Sequence, residues 1–114
     1  LTKSNEHNTN GSLTLLEFSG HKDLPLLNVF INNNLIIEGT SSSIIVNLNS
    51  NPKEVEIKIY ETGAKINQDN YSSPVFYAKY EKNNEVFEFI GIANSTNNVA
   101  SAREVFINVI KSLQ

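Results

Sequence analysis

VFYAKYEKNNEVFEFIGIANSTNNVASAREVFINVIKSL, residues 75–113, carries two periodicities that support one another. The first half alternates as a β-hairpin. A two-residue turn at Asn83-Asn84, where Asn tolerates positive φ, sets Lys82 opposite Glu85 and Glu81 opposite Val86. Tyr80 then faces Phe87, Lys79 faces Glu88, Ala78 faces Phe89, Tyr77 faces Ile90 and Phe76 faces Gly91. Opposite charges and aromatic rings pair together in this register, and a slip of one residue loses both charge pairs. One face carries Phe76, Ala78, Tyr80, Phe87, Phe89, Gly91 and Ala93, large rings among small residues that admit a close neighbour. The other carries Val75, Tyr77, Lys79, Glu88, Ile90 and Ile92, apolar at one end and charged toward the turn, as a partly covered surface would be.

The second half has helical spacing. Val99, Ala102, Phe106, Val109, Ile110 and Leu113 form one broad apolar stripe, the natural cover for the first hairpin face. Ser101 followed by Glu104 fits a capping box, and Asn98 offers an N-cap one turn earlier.

Upstream, strand patterns occupy residues 13–18, 26–31, 35–38, 44–48 and 55–60, separated by Gly, Pro and Asn-rich turns. In the last of these Val55, Ile57 and Ile59 point one way and Glu56, Lys58 and Tyr60 the other, a strand with one wet face. Seven strand candidates and one terminal helix predict an α+β fold, a mostly antiparallel sheet with the helix on one face. A β-sandwich with a helical tail is the alternative, although a tail would waste the stripe that includes Phe106. Residues 1–12, LTKSNEHNTNGS, lack apolar pattern and read as a flexible lead-in, leaving residues 13–114 as a single domain. Such a lead-in suits a tether from an upstream lipid anchor, and a trimmed chain end would look the same.

Composition narrows the function. A chain of 114 residues can bury a core without staples, and it has no Cys for a disulfide or thiolate site. Its net charge of −3, with nine basic residues scattered along the chain, argues against a nucleic-acid surface. No apolar run reaches the length of a membrane span. Asparagine is abundant, as a coding bias or a polar exported surface would make it. Three Asn-x-Ser/Thr sequons match the glycosylation pattern, about as many as chance supplies, so they decide nothing.

His21 and Asp23 in SGHKDLP are the nearest approach to a catalytic or metal pair. A first-row metal needs three or more ligands, and the other histidine, His7, lies in the lead-in. No Gly-x-Ser-x-Gly elbow and no phosphate-cradling glycine loop is present. Glu81, Glu85 and Glu88 cluster near the hairpin tip, but the register gives Glu85 and Glu88 lysine partners, which reads as a solvated, charge-balanced tip. Neither a metal nor another cofactor is expected.

Residues 61–74, ETGAKINQDNYSSP, are the longest stretch without pattern, and long loops in small domains tend to carry function. Tyr60 opens this stretch, Asn70 and Tyr71 lie within it and Tyr77 follows it. On adjacent strands Tyr60 and Tyr77 would frame a shallow aromatic site with Tyr71 as its lid; the alternative is that these rings fill the core and its margins.

The segment FYAKYEKNNEVFEFIGIANSTNNVASAREVFINVIKSLQ resembles the closing part of the PsbP-like fold group, exported bacterial relatives of the photosystem II extrinsic subunit. The likeness is an aromatic strand pair, a short polar loop and a helix closing on Val109-Ile110-Lys111-Ser112-Leu113. It covers a third of the chain, and the aromatic N-terminal segment of that group is absent, as is any Trp. The resemblance implies an α+β sandwich with a non-enzymatic accessory role, and no functional residue carries over. The resulting expectation is an exported or envelope-associated binding domain without catalysis. Its protein or small-ligand partner would lie along a strand edge or beside residues 61–74. An interaction or immunity-type subunit of a larger assembly is the second reading, and a hydrolytic enzyme using His21 the third.

Overall fold

A computed structural model of the chain describes residues 2–7, 13–17, 23–24, 26–50 and 52–113, with residues 2–7, 13–17 and 26 described by backbone alone. The strands are β1 (Thr2–His7), β2 (Leu13–Glu17), β3 (Leu26–Ile31), β4 (Ile37–Glu38), β5 (Ser42–Asn47), β6 (Glu54–Tyr60), β7 (Ala64–Ile66), β8 (Asp69–Tyr71), β9 (Val75–Lys82) and β10 (Glu85–Ile92). A 3-10 turn (Thr96–Asn98) leads into the helix α1 (Val99–Lys111). The fold is α+β: an antiparallel sheet in the order β1-β2-β3-β10-β9-β6-β5, a small sheet β4-β7-β8, and the helix packed against them.

The β9–β10 hairpin lies at the centre with every pair in the register read from sequence, from Glu85↔Lys82 to Gly91↔Phe76. Asn83 and Asn84 both adopt positive φ, 54° and 66°, the geometry that matches a two-residue turn to the strand twist. On one face Leu27, Phe76, Ala78, Phe89, Ile57 and Ile59 meet Ala102, Phe106 and Ile110 of the helix. The Phe76 and Phe106 ring centroids are 5.7 Å apart. Phe106 sits where a side chain on Gly91 would be, since a Cβ there would lie 2.6 Å from its Cδ1. The small residues of the hairpin thus let the helix approach the sheet closely. The helix starts at Val99 after Asn98, which leaves Ser101 and Glu104 inside it.

The other face is covered over part of its length. After β3 the chain crosses to the far edge of the sheet, forming β4 on the way, and residues 61–74 fold back as the β7–β8 hairpin against β4. The patternless stretch therefore contains two short strands and the turn between them, and is not one open loop. Asn67 and Gln68 turn it with positive φ, and Asn67 holds Ile36 by two bonds, its N–H donating to the Ile36 carbonyl and its Oδ1 accepting from the Ile36 N–H. Gly63 is required at its base: φ is 99°, and a Cβ would lie 2.0 Å from the Tyr71 carbonyl oxygen. Beneath this small sheet Tyr60, Ala64, Ile66, Val75 and Ile90 form a second apolar cluster.

Thr2–His7, within the stretch read as a lead-in, pairs with β2. A strand held through backbone bonds at a sheet edge needs no apolar pattern, which is why its sequence gives no sign of it.

Candidate functional site

Tyr60, Tyr71 and Tyr77 do converge. β6 and β9 are adjacent, with Tyr60 opposite Val75 and Lys58 opposite Tyr77, so Tyr60 and Tyr77 are diagonal neighbours on one face. They do not frame an open pocket. Tyr60 is only 4 % exposed and packs with Ile66, Val75 and Ile90. Tyr71 lies on β8 of the small sheet, packed on the same cluster instead of on a free lid. Asn70 is exposed on that strand. Tyr60 and Tyr71 fill the core and its margin, while Tyr77 is half-buried and lines an open groove.

Glu88 departs from the solvated tip expected of it. Its register partner is Lys79, as the sequence suggests, yet Glu88 is 2 % exposed. Its carboxylate accepts the Tyr77 hydroxyl at 2.6 Å and the Leu35 N–H at 3.2 Å to each oxygen. A buried carboxylate must be satisfied by donors, and here these come from the crossing segment and a neighbouring ring, while Lys79 stays exposed. Burial, then the Glu88 carboxylate beside it, raise the Tyr77 phenol well above its ordinary value of 10.0. This pair ties the crossover to the sheet.

Asp23 likewise serves architecture. Its carbonyl accepts the Asn94 N–H at 2.9 Å, and its Oδ1 accepts from the Asn98 side chain, fixing the start of the helix. His21 lies outside the described residues. Among the described residues no group of three or more His, Asp or Glu is placed to hold a metal, and no helix is long and apolar enough to cross a membrane.

Two surface features lie side by side. Toward the hairpin tip the small sheet no longer covers its face, and a groove of about 500 Å³ opens between Lys53, Glu56, Lys58, Tyr77, Lys79 and Glu81. Lys53 at its end is occupied, its Nζ donating to the Glu81 carbonyl at 2.9 Å and lying 4.7 Å from the Tyr80 ring centroid. Beside this groove runs β5, the last strand of the sheet, paired among the described residues on one side only, with β6. Its sequence, SSIIVN, has no charge and no proline, and Ile45 stands 58 % exposed on the groove side, opposite Glu56. No single residue of the sequence singles out this open edge; a charge-free run from Gly39 to Asn51 is the signal that marks it.

No family model, curated protein or solved structure matches this chain. The resemblance to the PsbP-like group therefore gains no support, and the geometry alone bears on function.

Proposed function

We propose that this chain is a small non-catalytic binding domain that takes an extended segment of another polypeptide chain as an added strand along β5. The observation behind this reading is the unprotected edge. Alternate residues of an edge strand turn both N–H and C=O outward, a template for a further strand. Proteins ordinarily blunt such edges with charge, proline or a bulge; β5 has none of these over six residues, and its one large outward side chain is Ile45. The opposite edge differs. β1 has Lys3 and Glu6 in its sequence and a register break between Lys3 and Asn5. Strand addition supplies affinity through main-chain bonds and selectivity through alternate side chains, which here would lie beside Ser43, Ile45 and Asn47 and next to the groove.

Panning a random linear peptide library against the folded chain tests the reading. Enriched peptides should shift the backbone amide resonances of Ser42–Asn47 and lose binding to an Ile45→Lys variant. Peptides that map to the helix or the small sheet, or no enrichment, would overturn it.

A further inference from the structure

Resting on that reading of the β5 edge, we infer that the strand added to β5 is β5 of a second copy of this chain, giving a symmetric dimer with one continuous sheet. The argument is one of self-complementarity. A two-fold axis perpendicular to the sheet runs the two β5 strands antiparallel and keeps corresponding faces on the same side. Side chains alternate between faces, so residues opposite one another across the seam must both be odd-numbered or both even-numbered.

Two such registers overlap over five residues. Centred on Ile44, the seam sets Ile44 against itself but Ser43 against Ile45 and Ser42 against Val46, polar against apolar in both remaining pairs. Centred on Ile45, it sets Ile45 against Ile45, Ile44 against Val46 and Ser43 against Asn47, like against like on both faces. The second register covers the exposed Ile45 on the axis, and Val46, already buried beside the helix, extends the first core toward the seam.

Charge agrees. The chain has a net charge of −3, so its copies repel in general, yet residues 39–51 contain no charged side chain, and the seam brings no like charges together. A heterologous strand would require no such internal match. A single strand seam is smaller than a standard stable interface, so this dimer belongs to the weak, reversible class and forms at high protein concentration.

Sedimentation equilibrium of the full chain from about 10 μM to about 1 mM is the test, with three variants at exposed positions. Wild type should show a reversible monomer–dimer equilibrium. Ile45→Lys, which sets two ammonium groups against each other on the axis, should weaken it by about tenfold or more. Ser43→Lys with Asn47→Lys should weaken it similarly, whereas Ser43→Lys with Asn47→Glu should dimerise at least as well as wild type, because the register pairs those two positions. Circular dichroism and thermal melting establish that each variant folds. A wild type that stays monomeric throughout overturns the inference, as does a dimer indifferent to Ile45→Lys, and equal loss in both double variants overturns the register. Should the chain be monomeric while panned peptides still shift Ser42–Asn47, strand addition stands and the second copy is not its occupant.

Discussion

The two faces of the central sheet are closed by different means. The helix face is apolar throughout, with Phe106 seated over Gly91 and against Phe76. The opposite face is closed by a small sheet that brings with it a buried carboxylate, Glu88, held by the Tyr77 hydroxyl and the Leu35 N–H. The first arrangement depends on shape and volume. The second depends on donors arriving at the right place, one of them 53 residues away in sequence. Generic hydrophobic contact can hold the helix in place, whereas the crossover is positioned by specific polar bonds.

Substitutions on each side separate these modes. The largest loss is expected from Phe106→Ala, a fully buried ring, at about 3–5 kcal/mol in chemical denaturation. On the other face Glu88→Ala leaves the Leu35 N–H and the Tyr77 hydroxyl without their acceptor, at roughly 1–3 kcal/mol for each group that water cannot reach. Combined with Tyr77→Phe, Glu88→Ala should cost less than the sum of the two, because both remove one bond; strict additivity would contradict the pair. Gly91→Ala forces Phe106 to move and should cost about 1–3 kcal/mol, with no effect on the Glu88 face.

The smallest effect is one of pH. The Tyr77 phenol titrates above 10.0 in the folded chain, so the unfolded chain ionises first as the pH rises. Stability from this group is intact below pH 10 and is lost as the pH climbs from there toward the folded value. Melting temperature followed through that alkaline range should fall less steeply for Tyr77→Phe than for wild type. Parallel curves would mean the phenol is not held as described.

The same contrast decides what sequence reveals. The hairpin and helix are legible because period two and period 3.6 each persist over several turns of pattern, and Asn83-Asn84 fixes the register locally. Residues 61–74 are not, since strands of three residues are too short for a period to show. Their turn uses Gln68 at positive φ, which no turn rule anticipates. Glu88 reads as solvated because its cross-strand neighbour is a lysine; its burial depends on a crossing segment that register cannot foresee. Tyr60 and Tyr77 are diagonal neighbours, as adjacent strands would make them, but Tyr60 and Tyr71 pack into the cluster beneath the β7–β8 hairpin and leave only Tyr77 on the groove. In the same way Asn32, Asn34 and Asn67 join Asn83 and Asn84 at positive φ, so part of an abundance that reads as composition serves turns.

The β5 edge and the groove beside it are where the proposed added strand would lie. Hydrogen exchange resolved to single amides, measured at low and high protein concentration, tests this most directly. If β5 accepts a strand from a second copy, alternate amides within Ser42–Asn47 will exchange more slowly at high concentration while those of β9 and β10 are unchanged. Exchange along β5 that does not depend on concentration, or protection that appears on the helix or the small sheet, would contradict the pairing of copies through this edge.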